Sequence, residues 1–304
     1  MRIAVVGSGA MGCVFGGHLS EASHEVTLID VWTDHVKALN EHGLYLTGVS
    51  GERTIEVKAV TDPSDLPVQD LVIVFVKSAY TESAVRDASN LIGPNTTVLT
   101  LQNGLGNAQA IGSIVGADKV VAGVTSHGAT MLGPGQVKHA GCGETVIGPL
   151  TGKLTSEIMA LADAFTESGL ETRAVDSAES LIWSKLLVNV GINALTAILR
   201  IKNGELTKHD EAKELLAMAV EEGVQVAAAK GVELIHEDPV ENCLQVAELT
   251  GANISSMYQD VRAKRPTEID VINGAIVAEG KKLGIATPTN FVLTKLIKVI
   301  EQLY

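Results

Sequence analysis

The sequence predicts an α/β domain built on a doubly wound parallel sheet, followed by an all-helical domain. Three observations carry this expectation. β-Branched runs alternate with helical stretches through the first half, a glycine turn separates the first run from the first helix, and helical periodicity dominates after Ala178. The change of texture near Val175 to Ser177 divides residues 1–175 from residues 176–304.

Taken in order, RIAVV (2–6) is a short strand ending in GSGAMG, CVFGGHLSEA has helical spacing, and HEVTLID is a second strand with Asp30 at its end. TIEVKAV reads as another strand, LVIVFVK (71–77) as a fully buried one, SAYTESAVRDASNLI as a helix, and TTVLTLQNG (96–104) as a buried strand running into a loop. Such alternation implies parallel strands with right-handed crossovers. The glycine-rich, β-branched residues 119–149 suit antiparallel strands that close the sheet. Helices are expected at 178–200, 205–230, 238–251, 253–262, 267–284 and 289–303.

Composition narrows the function. The 304 residues are 46% hydrophobic but only 3% aromatic, so the core must be built from Val, Ile, Leu and Ala. A formal charge of -13 with no basic run excludes nucleic acid as a partner, since phosphate backbones need clustered cations. The three cysteines, Cys13, Cys142 and Cys243, are far apart and form no CxxC pair, which fits a reducing cytoplasm. No secretory leader is recognisable and no segment is expected to reach the length of a membrane span, so a soluble cytoplasmic protein is expected. HAGCGE brings His139, Cys142 and Glu144 close in sequence, but with no further ligand nearby it reads as a glycine-rich hairpin and no metal is expected. The absence of HExxH and GxSxG removes the corresponding zinc-protease and α/β-hydrolase readings.

In VVGSGAMG, Gly7 would permit a tight turn, Gly9 would let backbone approach a pyrophosphate, and Gly12 would let the helix pack on the sheet. A pyrophosphate would then sit on the helix N-terminus, where unpaired N–H groups and the dipole favour an anion. Strand, turn, helix and strand fall within about thirty residues, the context a Rossmann-type dinucleotide fingerprint requires. Asp30, 18 residues after Gly12, would accept hydrogen bonds from the ribose hydroxyls and repel a 2′-phosphate. With Lys37 as the nearest following cation, the cofactor expected is NAD(P)H with NADH favoured. Ser8, Ala10 and Met11 complete the turn as expected cofactor contacts, and Ala129 is expected to join them. Lys77 and Asn103, near the ends of later strands, point towards the same ligand crevice.

SKLLVNVGIN (184–193) places Lys185, Asn189 and Asn193 at a spacing of four on an otherwise apolar helix. Steps of four drift only about 40° each, so the three form one polar stripe roughly 12 Å long. Buried polar groups cost several kcal/mol unless satisfied, so either the protein or a ligand must supply partners.

The motifs GxGxxG, LQNG (101–104), WSKLLVNVGIN (183–193), NGEL (203–206) and NISSMYQDVRAKRPTEIDVINGAIV (253–277) together resemble the ketopantoate reductase (2-dehydropantoate 2-reductase) family over nearly the whole chain. The resemblance implies a Rossmann domain joined to a helical domain similar to the C-terminal part of 6-phosphogluconate dehydrogenase, with the active site in the cleft between them. It implies that Lys185 is the general acid and that Asn189, Asn193, Asn203, Asn253 and Ser256 hold the substrate. Asn103 would lie where nicotinamide and substrate meet, and Glu268 would line the site in a catalytic or cofactor-contacting role.

The chemistry of the residues agrees. Hydride transfer to a 2-keto acid builds negative charge on the carbonyl oxygen, which a positioned ammonium can both stabilise and protonate. Desolvation would lower the pKa of Lys185 and Glu268 would raise it, so the sequence leaves the sign of the net shift open. Family members typified by NADP use carry an arginine after the second strand, where this chain has Val31. Two alternatives therefore accompany reduction of ketopantoate to (R)-pantoate: an NAD-dependent D-2-hydroxyacid dehydrogenase acting on branched or aromatic 2-keto acids, and a non-catalytic nucleotide sensor. The expected partner is a small-molecule 2-keto acid, and the apolar helices of the second domain fit a homodimer.

Overall fold

The computed structural model describes all 304 residues and divides into two compact units, one of residues 1–102 with 107–178, the other of residues 103–106 with 179–304.

The first unit contains β1 (Arg2–Val6), α1 (Ala10–Glu21), β2 (Glu25–Ile29), α2 (Thr33–His42), β3 (Leu44–Gly48), β4 (Arg53–Ile55), β5 (Lys58–Val60) and β6 (Leu71–Val74). It continues with α3 (Thr81–Asp87), β7 (Thr97–Thr100), α4 (Asn107–Val115), β8 (Val120–Thr125), β9 (Gly128–Gly133), β10 (Gln136–Gly141), β11 (Thr145–Pro149), α5 (Ser156–Glu167) and β12 (Thr172–Ala174). Eight strands form one sheet in the order β12-β11-β8-β7-β6-β1-β2-β5. Every neighbouring pair in it is parallel except β8 with β11. From β1 the chain builds outward to β2 and β5 on one side, then returns to add β6, β7 and β8 on the other. The strand order therefore reverses between β1 and β6, where open α/β sheets bind ligands at the strand carboxyl ends. Ile3, Val5, Leu28, Ile73 and Leu99 from these strands are fully buried against Phe15, Leu19 and Phe165 from the covering helices.

Two expectations are corrected here. TIEVKAV is not one strand: β4 pairs antiparallel with β3, whereas β5 pairs parallel with β2, and Glu56–Val57 mark the switch. Residues 119–149 do not all close the main sheet. β11 does, but β9 and β10 form a second, four-stranded sheet in the order β4-β3-β10-β9. Alternation of apolar and polar residues specifies a strand but not its partner, which is why the pattern left this open.

The second unit is helical: α6 (Glu179–Leu199), α7 (Asp210–Lys230), α8 (Pro239–Leu249), α9 (Ser256–Arg262), α10 (Asn273–Leu283) and α11 (Pro288–Gln302), with 3₁₀ segments at Asn203–Lys208 and Ile269–Val271. α6 lies at its centre, packed by α7, α8, α9 and α11. Its 21 residues are long and apolar enough to span a membrane, contrary to the expectation that no segment would be. The apolarity has a structural cause: Trp183, Leu186, Leu187, Val190, Ala194 and Ala197 of α6 are all buried in the core of this unit.

One buried carboxylate organises the start of α11. Glu222, 8% exposed on α7, accepts hydrogen bonds from the backbone N–H groups of Thr289 and Asn290 (2.7 and 2.9 Å) and from Asn290 Nδ2 (2.7 Å). These satisfy donors that the first turn of a helix leaves unpaired, and the negative charge complements the helix dipole. Asn290 Nδ2 also donates to the Ala219 carbonyl, and its Oδ1 accepts from Asn273 Nδ2, which donates further to the Val190 carbonyl of α6. Glu222→Ala is expected to destabilise the protein by about 2–4 kcal/mol, since charged hydrogen bonds are lost and buried donors are left unsatisfied. A denaturant titration monitored by far-ultraviolet circular dichroism checks this, with an unchanged midpoint as the contrary outcome.

Candidate active site

The glycine turn is built as its spacing requires, but the three glycines are needed for different reasons. Gly7 has φ +92°, and a Cβ there would lie 2.6 Å from the Val76 nitrogen. The N–H groups of Gly7 and Ser8 both donate to the Ile29 carbonyl (2.9 and 3.1 Å), tying the turn to the end of β2. A Cβ at Gly12 would lie 2.2 Å from the Gly7 oxygen, so only glycine lets α1 start this close to the turn. Gly9 differs: a Cβ there would meet nothing within 4 Å. The protein's own packing does not demand glycine at position 9, and the open space lies at the N-terminus of α1. That helix begins without a side-chain cap and with no acidic residue in its first turn. Uncapped N–H groups beside open space are what a pyrophosphate would use, so this turn fits a dinucleotide. Ala10 and Met11 form the first turn of α1 and are partly buried.

His35, which the sequence reading passed over, holds the turn from behind. Its Nδ1 accepts the Gly135 N–H (3.0 Å), which places the ring proton on Nε2 for donation to the Ser8 carbonyl (2.9 Å). Burial keeps the ring's pKa below the ordinary histidine value, so it stays neutral. The Ser8 hydroxyl is itself buried and unpartnered.

Asp30 sits just past β2, where one carboxylate oxygen accepts the Trp32 N–H (3.0 Å) in a local turn. Val31 beside it is 91% exposed, and Trp32 stacks on His35 with ring centroids 5.3 Å apart. Lys77 lies three residues beyond the end of β6, partly buried, at the start of a short 3₁₀ turn. Ala129 lies on β9, opposite His139 of β10, and so belongs to the smaller sheet.

Within the helical unit, α6 carries Lys185, Asn189 and Asn193 on successive turns. Lys185 and Asn189 retain some accessible surface, while Asn193 is 5% exposed with its Nδ2 unpartnered. Burial lowers the pKa of Lys185 and the negative charge of Glu268 opposes it; burial wins, and the value falls to about 8. The sign that the sequence left open is thus downward.

Glu268 in turn accepts a hydrogen bond from Asn103 Nδ2 (3.3 Å). Asn103 comes from the loop after β7, yet residues 103–106 belong to the helical unit: the Leu105 N–H donates to the Val271 carbonyl (2.9 Å). At Gly104, φ is +84° and a Cβ would lie 2.3 Å from that same carbonyl oxygen, so LQNG needs its glycine for close docking. Lys185, Glu268 and Asn103, about 165 residues apart at the extreme, are brought together in this way.

The remaining substrate candidates have mixed positions. Asn203 is buried, donates its Nδ2 to Thr250 Oγ1 (2.9 Å), and leaves its Oδ1 unpartnered. Its backbone N–H bonds the Asn253 carbonyl (3.0 Å), so the NGEL and NISS segments are joined through main chain. Asn253 and Ser256 are exposed. The neighbouring Ser255 does structural work: it caps α9 through the Tyr258 N–H (3.1 Å) and accepts from Thr196 Oγ1 of α6 (2.8 Å). Thr196 is three residues beyond Asn193 and extends the same polar stripe, which is the sequence signal that marks it.

Two family models match the chain: "Ketopantoate reductase PanE/ApbA" over residues 3–152 and "Ketopantoate reductase PanE/ApbA C terminal" over residues 177–301. The chain belongs to the ketopantoate reductase family. Among relatives, the 2-dehydropantoate 2-reductase of Halobacterium salinarum is 40% identical over 303 residues, covering 99% of both chains. That of Pyrococcus horikoshii is 35% identical, covering 100% of this chain and 98% of its own. Among solved structures, a PanE/ApbA family ketopantoate reductase from Ralstonia eutropha JMP134 has a TM-score of 0.93 at 37% identity, with 99% of each chain covered. A D-mandelate dehydrogenase in a ternary structure with NADH and anilino(oxo)acetate also has a TM-score of 0.93, at 36% identity and 99% coverage of each chain. The Rossmann-type unit followed by a helical unit is therefore the family's fold.

The different demands on Gly9 and Gly12 make a contrast. Gly9→Ala is expected to leave the thermal midpoint unchanged but weaken nicotinamide dinucleotide binding about tenfold or more, because the added methyl occupies ligand space alone. Gly12→Ala is expected to lower the midpoint as well. Thermal melts and cofactor fluorescence titrations of both variants separate the two effects.

Proposed function

We propose that this chain is an NAD(P)-dependent oxidoreductase that reduces 2-dehydropantoate to (R)-pantoate. The observation that carries the reading is a lysine of depressed pKa on an apolar helix, with Glu268 close enough to act on its charge and Asn103 bonded to that carboxylate. Membership of a family whose curated relatives are 2-dehydropantoate 2-reductases supports the substrate.

A nicotinamide dinucleotide, held by the turn from Gly7 to Gly12 and by Asp30 with Lys77 and Ala129 as further contacts, would supply the hydride. Lys185 would bind the keto oxygen, stabilise the negative charge that develops there, and release its proton to that oxygen. With a pKa of about 8 the ammonium is present at neutral pH and gives up its proton more readily than an ordinary lysine. Glu268 preserves the charged form of Lys185, and Asn103 orients Glu268. Asn189 and Asn193 add donors for the substrate carboxylate or hydroxyl without adding charge. The unpartnered Nδ2 of Asn193 and Oδ1 of Asn203 leave one donor and one acceptor unsatisfied by protein, which a hydroxy acid can meet. Asn253 and Ser256 complete the proposed substrate set.

A second reading has an observation of its own. The D-mandelate dehydrogenase relative is bound to NADH, and this chain has exposed Val31 rather than arginine after Asp30. An NAD-dependent D-2-hydroxyacid dehydrogenase would keep the same carbonyl chemistry and differ only in its side-chain pocket. Assays of NADH and NADPH oxidation with ketopantoate, 2-ketoisocaproate and phenylpyruvate distinguish the two. The expected outcome is highest kcat/KM with ketopantoate and a preference for NADH. Higher kcat/KM with phenylpyruvate would favour the second reading, a strong NADPH preference would overturn the role given to Asp30, and no turnover with any substrate would favour a nucleotide sensor.

Lys185→Ala is expected to lower kcat by about a hundredfold or more, in line with loss of a general acid. In the native enzyme, kcat/KM for reduction should be level below pH 8 and fall above it as Lys185 loses its proton, since the acid must be protonated to act. A profile still rising above pH 8, or near-native turnover in the alanine variant, would end the assignment.

A further inference from the structure

The first unit contains a cluster of potential ligands that the proposed reaction does not use. His127, in the connection between β8 and β9, His139 on β10, and Cys142 just after β10 each present one ligand atom, and these atoms lie within 4.8 Å of one another. His127 and His139 are 8% and 1% exposed, whereas Cys142 is exposed and free. The Nδ1 of His127 faces the Nε2 of His139 at 2.9 Å, so the two rings share one proton between facing nitrogens. Behind them, His127 Nε2 and His139 Nδ1 have no hydrogen-bond partner. Two buried imidazoles left this poorly satisfied are a cost to the fold unless something else binds there.

The surroundings hold the three residues in place. The irregularity in β9–β10 pairing between His139 and Gly141 turns the chain just before Cys142. A Cβ at Gly143 would lie 2.7 Å from the Ser126 Cβ, so the loop carrying Cys142 sits tightly on the residue preceding His127. The Ser126 N–H donates to the Glu144 carbonyl (2.9 Å), and the Glu144 side chain pairs with Arg173 (3.0 Å). Glu144 is thus engaged elsewhere, and the third ligand that the HAGCGE stretch lacked comes from His127, twelve residues before His139. The expectation that this hairpin has no further nearby ligand is corrected.

We infer that His127, His139 and Cys142 form a binding site for a zinc-class divalent cation, with water completing a tetrahedral set on the exposed side. Zinc bonds of about 2.0–2.1 Å to nitrogen and 2.3 Å to sulfur place tetrahedral ligand atoms about 3.3–3.6 Å apart, against a present spacing within 4.8 Å. On binding, the facing proton of the histidine pair moves to an outer nitrogen, and the Cys142 thiol releases its proton to solvent as the sulfur–metal bond forms. No oxidation change occurs. Cys13 and Cys243 cannot substitute, since both thiols are buried with their pKa values raised by that burial.

The test uses the whole chain, reduced and freed of metal by chelation, titrated with Co²⁺ and then Zn²⁺. One equivalent of Co²⁺ should give a thiolate-to-cobalt charge-transfer band that Zn²⁺ abolishes, and Zn²⁺ at a hundredfold excess over its Kd should raise Tm by roughly 5 °C or more. Cys142→Ser, at an exposed position outside the proposed catalytic groups, should fold as the native chain does, lose the band, and bind Zn²⁺ about tenfold or more weakly. His127→Gln should also lose the equivalent of bound cobalt. Absence of the band in the native protein, or equal Zn²⁺ binding by the native and Cys142→Ser chains, overturns the site. Neither readout depends on turnover, so this result and the proposed reductase activity stand or fall separately.

Discussion

Desolvation of a single ammonium sets the character of the helical unit. Lys185 belongs to the most apolar helix in the chain, and the burial that makes α6 a good core element works against a charge on it. A fully charged lysine at its ordinary pKa would be a poor proton donor at neutral pH, and a neutral one would give no electrostatic help. Glu268 holds the balance between these extremes, and Asn103 holds Glu268. The value near 8 results from packing first and from one carboxylate second, so it depends on the surrounding apolar helices as much as on the polar groups.

The same logic explains how readable the chain was. The glycine turn, the strand–helix alternation and the helical character of the second half follow from local chemistry: φ requirements, β-branching and 3.6-residue periodicity act over a few residues, although the helix expected over 267–284 begins only at Asn273, after a 3₁₀ turn at Ile269–Val271. Lys185, Asn189 and Asn193 were legible for the same reason, since a polar stripe on an apolar helix is a local contradiction. Strand partnership was not. Arg53–Ile55 and Lys58–Val60 look continuous in sequence, yet pair in different sheets, because nothing within seven residues records which edge each will meet.

Long-range polar pairings were equally hidden. His35 behind the turn, Glu222 at the start of α11 and Thr196 against Ser255 each hold a local element through a partner tens of residues away. A single sequence shows such residues only as polar groups in apolar stretches, without saying what they satisfy. The HAGCGE stretch is the reverse case. Its sequence neighbours Glu144 and His139 do not act together, because Glu144 turns to Arg173, while His127 arrives by way of the β9–β10 hairpin.

Residues 103–106 pack with a unit whose remaining sequence begins 73 residues later, at Glu179. The polypeptide therefore passes between the units three times rather than once. Exchanging the helical half of one relative for that of another by a single splice near residue 178 would bring in a foreign Val271 against a native Gly104, a contact so close that a Cβ at position 104 would lie 2.3 Å from the Val271 carbonyl oxygen. Chimeras of this fold need a second, four-residue transplant, and lineages that recombine at one point alone would carry a mismatched loop beside the carboxylate that tunes the lysine.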